Sequence, residues 1–259
     1  MSRFGTIIED FYTERTRILN AIAEPEYEHI IMRLIGSLAF RTQCPKYGYI
    51  QDDLGRVFTD FDFVAYPRFT KDITKVITEL GYEEDKQVSQ LFGDRRMLFH
   101  DPLFGRHIDV FYNYLDFCHR IDFINRLEVQ DITIPLAELL LEKLQIRQIN
   151  EKDVIDCIML MREHSFGSGD RETINIDVLL NYLTNDWGWW KTATGSLETI
   201  LERLPRYKNL SDADREIVQG RIQELLHKIE EAPKSLKWKV RSKVGEKVKW
   251  YKDVEELTR

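Results

Sequence analysis

Two aspartates one residue apart, Asp60 and Asp62, lie in the otherwise apolar stretch "FTDFDFVAY" at residues 58–66. If this stretch is a β-strand, successive side chains point to opposite faces. The two carboxylates then share one face, while Phe61 and Phe63 share the other. Two like charges held side by side cost free energy unless a positive charge neutralises them. The spacing of Asp60 and Asp62 therefore predicts a positively charged group beside the two carboxylates.

A third aspartate, Asp109, lies in a second strand-like stretch, "RHIDVFYN" at residues 106–113, with His107 on its own face. If the two strands are neighbours in one sheet, three carboxylates converge on one patch. Such a patch suits a hard divalent ion, and Mg²⁺ is the expected occupant. A D-x-D pair alone is more typical of a solvated strand face or a turn. The apolar strand and the third aspartate together favour the metal site.

A glycine-serine pair, Gly36 and Ser37 in "LIGSLAFR", precedes the paired aspartates. A turn of this kind beside a helix can offer backbone N–H groups and a hydroxyl to phosphate oxygens. Gly-Ser more often marks an ordinary turn, so the pair has weight only through its place before the D-x-D strand.

The elements that position these residues follow from periodicity and turn signals. Helix patterns cover residues 5–23 and 70–81, the latter ended by Gly81, and residues 42–57 read as a loop or irregular hairpin. Residues 95–100 and 106–113 predict the two arms of a β-hairpin, joined by a turn that contains Asp101, Pro102 and Gly105.

After about residue 120 the strand signals fade and helix patterns follow. They cover residues 135–147, 150–164, 175–187 and 211–231, and Pro135, Asn150 and Ser211 suit helix starts. The last segment repeats apolar side chains on one helical face, namely Leu236, Val240, Val244 and Val248.

These motifs, in this order, are similar to those of a known protein family. "GS" at residues 36–37, "TDFDFV" at 59–64 and "HIDVF" at 107–111 resemble the nucleotidyltransferase superfamily of DNA polymerase beta and the small antibiotic nucleotidyltransferases. The segment 139–161, "LLLEKLQIRQINEKDVIDCIMLM", looks like the lysine-then-aspartate helical segment of the minimal and abortive-infection-toxin-like branches. The resemblance covers about residues 30–163.

The resemblance implies a role for each matching residue. Asp60 and Asp62 would bind two Mg²⁺ ions that hold an NTP, and Asp109 would complete the second ion's shell and assist deprotonation of the acceptor. The remaining nucleotide-binding residues would be Gly36, Ser37, Arg56, Lys143 and Asp153. Among them, Lys143 would neutralise phosphate charge and Asp153 would orient it or the nucleotide.

The chain departs from the family pattern in two respects. The interval between Ser37 and Asp60 is long, so an insertion such as "CPKYGYIQDD" must be accommodated, and the turn "IGS" has no second glycine. These departures bear on catalytic efficiency more than on the fold.

Elements and resemblance together predict an α+β fold. A nucleotidyltransferase-like mixed β-sheet flanked by helices would occupy residues 1–125. A helical domain with a basic C-terminal helix would occupy residues 126–259.

Composition narrows the class of protein. The 259 residues carry a net charge of −7, which argues against a surface devoted to nucleic acid. Residues 233–259 hold nine Lys or Arg against four Asp or Glu, a local +5 that leaves −12 for the rest. This tail could meet phosphates, an acidic partner or, the favoured interpretation, the protein's own acidic body. The sequence shows no apolar span and no signal-peptide core, so a cytoplasmic protein is expected. Cys44, Cys118 and Cys157 include no C-x-x-C pair and are expected to be reduced thiols.

Several residues admit structural interpretations. Without the family pattern, Lys143 and Asp153 would be an interhelical surface pair. Arg95 and Arg96 are expected to be solvated, with a role as triphosphate ligands as the alternative. His107 could support Asp109, while the other histidines are packing or surface residues. The tryptophans at 187, 189 and 190 are expected to pack in a core, with a stacking platform for an acceptor as the alternative.

The predicted function is Mg²⁺-dependent transfer of a nucleoside monophosphate from an NTP to an acceptor hydroxyl, with release of pyrophosphate. The acceptor could be a small molecule, a tRNA end or a protein. The alternatives are a catalytically silent protein of the same fold that binds a nucleotide or a partner, and the toxin component of a toxin-antitoxin pair. The sequence does not indicate the oligomeric state.

Overall fold

A computed structural model describes residues 2–254 of the chain. Over these residues it is a mixed α/β structure, and the coarse prediction of fold class is confirmed. The strands are β1 (Met32–Ile35), β2 (Phe61–Ala65), β3 (Glu83–Glu84), β4 (Arg96–His100), β5 (His107–Tyr112), β6 (Tyr114–Asp116), β7 (Arg120–Asp122), β8 (Phe166–Gly167) and β9 (Ile174–Asn175).

Eleven α-helices accompany these strands within the described range. They are α1 (Phe11–Ile22), α2 (Gly36–Gln43), α3 (Tyr49–Asp53), α4 (Thr70–Glu79), α5 (Lys86–Phe92), α6 (Leu136–Leu144), α7 (Glu151–Glu163), α8 (Ile176–Asn185), α9 (Trp187–Arg203), α10 (Asp212–Glu231) and α11 (Leu236–Val244). Residues 67–69, 204–206 and 245–247 form short 3₁₀ turns.

The chain divides into two compact units, neither of which is one continuous stretch. Unit 1 comprises residues 1–42, 57–115 and 122–134, and unit 2 comprises residues 43–56, 116–121 and 135–259. The long interval between Ser37 and Asp60 thus contributes residues 43–56 to unit 2. The loop or irregular hairpin predicted for residues 42–57 is wrong in part, because residues 49–53 form helix α3. The predicted boundary between residues 125 and 126 stays a prediction.

Unit 1 is built on a five-stranded mixed sheet in the order β1-β2-β5-β4-β3. Strand β2 is antiparallel to β1 and parallel to β5, while β4 is antiparallel to both β5 and β3. The edge strand β1 is flanked by residues 132–134, because the Leu34 N–H donates to Ile132 and the Ile134 N–H donates to Leu34. One face of β2 and β5 carries fully buried side chains, namely Phe61, Phe63, Ile108 and Val110.

The predicted elements of unit 1 are confirmed with one shortened helix. The hairpin β4–β5 turns where expected: Asp101 accepts hydrogen bonds from the Leu103 and Phe104 N–H groups, and Gly105 has φ +68°. Helix α4 is followed by Gly81 with φ +98°. Helix α1 begins only after Asp10, whose carboxylate caps the Thr13 N–H, so the helix predicted from residue 5 was too long.

Unit 2 is helical apart from its short strands, and α6 lies at its centre. All nine residues of α6 are buried, because α7, α8 and α9 contact it. Asn150 caps α7 through the Asp153 N–H, and Ser211 caps α10 through the Asp214 N–H, as predicted. Cys44, Cys118 and Cys157 are buried free thiols. None of the helices in the described range is long and apolar enough to cross a membrane.

Candidate functional site

Asp62 and Asp109 are direct partners on the parallel strands β2 and β5. Their Cα atoms are paired in register, between the pairs Phe61–Ile108 and Phe63–Val110. Paired residues on adjacent strands point to the same face, so the two carboxylates lie side by side. Asp109 is buried and Asp62 is half-buried.

Asp60 reaches the same end of the sheet from the residue before β2. Its Oδ1 accepts a hydrogen bond from the His107 backbone N–H at 3.0 Å and lies 3.0 Å from His107 Nδ1. The His107 ring also meets His100, with ring centroids 4.9 Å apart. His107 therefore holds Asp60, while the support of Asp109 by His107 that the sequence suggested stays a prediction.

Arg96 on β4 binds Asp109 with a bidentate pair of hydrogen bonds. Its Nε and Nη2 donate to the two carboxylate oxygens at 2.6 and 2.9 Å. The hydrogen bond to Asp109 raises the pKa of the Arg96 guanidinium against the opposing effect of burial, and the charges of Asp62 and Asp60 add to the rise. The negative charges of all three predicted aspartates therefore stabilise the charged form of Arg96.

The role of Arg96 was missed from the sequence, which predicted a solvated side chain. Its neighbour Arg95 is indeed exposed, with 65% of its side chain accessible, whereas Arg96 is at 22%. A signal was available in the predicted hairpin. Counting outward from the turn pairs Leu98 with Asp109, which places Arg96 diagonally beside that aspartate.

Gly36 lies directly against Asp62. It follows β1 without a loop, opens α2 and has φ +67°, a conformation that favours glycine. A Cβ at this position would lie 2.6 Å from Asp62 Oδ2, so a side chain would collide with the carboxylate. Ser37, the next residue, is buried at 8% exposure.

The donor set of this patch suits a hard divalent cation chemically, since it consists of carboxylate oxygens. Within residues 2–254, however, no group of three or more His, Cys, Asp or Glu is arranged to hold a metal ion. Asp60 and Asp62 fit the role of ligands, whereas both oxygens of Asp109 already accept a hydrogen bond from Arg96. The two-ion site stays a prediction.

The other predicted nucleotide-binding residues belong to unit 2. Lys143 at the end of α6 and Asp153 at the start of α7 form an ion pair, with Nζ and Oδ1 3.2 Å apart. Lys143 Nζ also lies 3.2 Å from Glu142 Oε1 and 3.5 Å from Asp156 Oδ2. The side chains are almost inaccessible, so the pair is a buried cluster instead of the surface pair that local reasoning favoured.

Arg56 is the second cation of this buried cluster. Its Nε lies 3.2 Å from Asp156 Oδ1, to which Gln51 Nε2 donates a hydrogen bond at 2.7 Å. Burial opposes the charge of Lys143, but the carboxylates outweigh it and raise the pKa of the lysine well above its ordinary value. Two cations thus face three carboxylates inside unit 2.

The tryptophans near residue 190 pack on other aromatic side chains of unit 2, in agreement with the structural interpretation. Trp187 and Trp189 are buried at 6% and 4% exposure. Trp187 meets Trp250 at 5.9 Å between centroids, and Trp190 meets Trp238 at 5.2 Å. A Cβ on Gly188 would lie 2.6 Å from the Trp250 carbonyl oxygen, so the segment after α11 packs directly on the start of α9.

The basic C-terminal segment makes contacts with acidic residues of its own unit, the interpretation that the sequence favoured. Lys252 Nζ lies 2.6 Å from Asp116 Oδ2, and Lys237 Nζ lies 3.9 Å from Asp186 Oδ2. Comparisons of the chain with protein-family models, with curated proteins and with solved structures give no match.

Proposed function

We propose that unit 1 is a nucleotidyltransferase-like domain that transfers a nucleoside monophosphate from an NTP to an acceptor hydroxyl. The observation that carries the proposal is the parallel pairing of Asp62 with Asp109, with Asp60 at the same end of the sheet and Gly36 against Asp62. Three carboxylates and a glycine-opened helix on neighbouring elements match the order of motifs in the resembling superfamily.

In this proposal, Asp60 and Asp62 would hold Mg²⁺, which would neutralise triphosphate charge and orient the reacting groups. The positive φ of Gly36 lets α2 begin directly after β1, so the first N–H groups of the helix can face phosphate oxygens. The acceptor oxygen forms a bond to the α-phosphorus as the bond from that phosphorus to the bridging oxygen breaks. Pyrophosphate leaves, and Asp109 accepts the hydroxyl proton.

A second candidate function, nucleotide binding without transfer, is favoured by the contact between Arg96 and Asp109. Because both oxygens of Asp109 accept hydrogen bonds from the guanidinium, the carboxylate is poorly placed to take a proton from an acceptor. The acceptor itself stays open between a small molecule, a tRNA end and a protein. A role as the toxin of a toxin-antitoxin pair also stays a prediction.

The test is incubation of the chain with each labelled NTP, Mg²⁺ and a cell extract. We expect label to reach an acceptor and the transfer to be lost in Asp60→Asn and Asp62→Asn. The matched control is Asp94→Asn, since Asp94 is an exposed aspartate of the same unit, and it should transfer normally. Equal transfer by all three variants would refute the assignment. Metal-dependent NTP binding without any transfer would support the second candidate.

A further inference from the structure

Helix α11 in unit 2 presents its apolar side chains to solvent. Leu236, Val240 and Val244 are 79%, 58% and 40% exposed, and no residue of the helix is buried. Val248, which follows the positive-φ residue Gly245, is also exposed. Single exposed apolar residues are ordinary, but a continuous stripe of them marks an interaction surface.

The helix is anchored by its opposite side. Trp238 meets the Trp190 ring at 5.2 Å, and the Arg241 guanidinium lies 4.7 Å from the centre of the Trp187 ring. The Ser235 N–H donates to the Thr184 carbonyl and fixes the start of the helix. The apolar stripe is therefore the outward face of a helix that is already docked.

Lysines flank the stripe on both sides. At about 100° per residue, Lys239 and Lys243 fall along one side of the line from Leu236 to Val244, and Lys237 falls along the other. All three lysines are exposed. The surface therefore combines an apolar line with positive edges, and its complement is an apolar line with negative edges.

The stripe forms one wall of a groove of about 1290 Å³ within unit 2. Residues of α8, the start of α9 and the segment 249–252 form the other walls. The volume exceeds the roughly 300–1,000 Å³ of a typical small-molecule site. Five basic side chains line the groove against two acidic ones: Arg120, Lys237, Arg241, Lys249 and Lys252 against Asp116 and Asp186. The two acids pair with Lys252 and Lys237, and Lys249 pairs with Asp253, so the positive charge of the lining that no acid of the groove offsets comes mainly from the arginines.

We propose that this groove binds an acidic amphipathic helix of a partner protein. A helix of that kind lays its apolar face into a groove, with anchors at i, i+3, i+4 and i+7. Its acidic flanks meet Lys239 and Lys243 on one side and, on the other, Lys237, which lies 3.9 Å from Asp186 Oδ2. A second copy of the chain is a poor occupant, because two α11 stripes face to face would bring their lysines together.

Two other classes of macromolecule fit the groove less well. A lipid surface is flat, whereas the stripe lines a concave groove. Single-stranded nucleic acid binds by stacking bases on aromatic faces. In this groove Trp187 and Trp189 are buried, the half-buried Trp250 and Tyr251 pack on each other with ring centroids 5.2 Å apart, and the exposed line is aliphatic. The aliphatic stripe with basic edges is the combination that an acidic helix satisfies.

The test uses the full chain and a labelled synthetic peptide of about five helical turns, made of leucine and glutamate with the leucines on one face. A peptide of the same composition in scrambled order is the control probe. By fluorescence anisotropy, we expect the amphipathic peptide to bind about tenfold more tightly than the scrambled one, a difference of about 1.4 kcal/mol. Equal affinities would overturn the proposal, since they would leave only unspecific charge attraction.

The variant Leu236→Glu/Val240→Glu should weaken the peptide by about tenfold or more, while Leu91→Glu in unit 1, also at a strongly exposed leucine, should bind normally. Val244→Glu provides a second variant, and circular dichroism checks that each chain is folded. Undiminished binding by the folded stripe variants contradicts the proposal. Binding to phosphatidylglycerol vesicles or to an oligouridylate in place of the peptide, lost in the same variants, also contradicts it.

Discussion

Arg96 and Asp109 form a bidentate ion pair across strands β4 and β5, with nitrogen-to-oxygen distances of 2.6 and 2.9 Å. Asp109 is the direct strand partner of Asp62, so the pair connects the predicted acidic site to a cation that lies on the same face of the sheet. The like-charge repulsion of a D-x-D strand is thus relieved in part by an arginine of the protein itself.

Replacing Arg96 by alanine should destabilise the protein, because it removes two hydrogen bonds from the buried Asp109 carboxylate. We expect a loss of about 1.5–3 kcal/mol in the free energy of unfolding, the range for hydrogen bonds to charged groups. Urea unfolding measures it. Arg95→Ala is the matched control, since the Arg95 side chain is 65% exposed and should change stability little. Equal midpoints for the two variants would show that the pair contributes nothing.

Gly36→Ala tests the close approach of α2 to Asp62. The substitution forces alanine into φ +67° and places its Cβ 2.6 Å from Asp62 Oδ2. Gly55→Ala separates the two effects, because Gly55 has φ +73° but an added Cβ there would meet no atom within 4 Å. Both variants should lose more than about 1 kcal/mol of stability. Only Gly36→Ala should weaken NTP binding, and equal binding by both would argue against a nucleotide site at Asp62.

Lys143→Met should be one of the most destabilising substitutions in unit 2. It leaves Glu142, Asp153 and Asp156 without their shared lysine inside the protein. Breaking a buried ion pair costs about 3–5 kcal/mol. Asp153→Asn should cost less, because Lys143 keeps its other two carboxylates.

The exposed Lys152 supplies the control for this cluster. Lys152→Met should unfold at the same denaturant concentration as the unmodified chain. If Lys143→Met did so too, the cluster would have no role in stability.

The stability of unit 2 should fall in mildly acidic solution because of His119. Burial between Trp189 and Thr192 lowers the pKa of His119 from 6.5 to about 4. Below pH 6.5 the unfolded chain binds a proton that the folded chain does not, so stability decreases as the pH falls towards 4. The full effect is about 3 kcal/mol, at about 1.4 kcal/mol per pKa unit.

His119→Gln should therefore show a shallower fall in the free energy of unfolding between pH 7 and 4.5 than the unmodified chain. His227→Gln is the control, since the His227 side chain is 67% exposed. Parallel pH profiles for the two variants would contradict a neutral buried His119.

Local signals in the sequence predicted the elements well, because turns and caps depend on a few neighbouring residues. The turn at Asp101–Gly105 and the caps at Asn150 and Ser211 are of this kind. The antiparallel register of β4 and β5 could also be counted from the turn. The parallel register of β2 and β5 could not, since the crossover between them spans residues 66–106 and leaves the pairing to tertiary packing.

Charge partners were harder to predict than elements. Lys143 and Asp153 were expected on the surface by local reasoning, but the burial of these two side chains depends on neighbours far along the chain. The apolar side chains of α11 show the reverse case. Their spacing is typical of a buried helix face, but they are exposed. Periodicity shows which residues share one face of a helix. Whether that face is buried or exposed depends on tertiary packing.

Calorimetric titration of an NTP into the full chain, with and without Mg²⁺, tests the proposed metal-phosphate site. We expect binding that requires Mg²⁺, is lost in Asp62→Asn and persists in Asp94→Asn. Binding of equal strength without Mg²⁺, or in the Asp62→Asn variant, would contradict a metal-phosphate site at the paired aspartates.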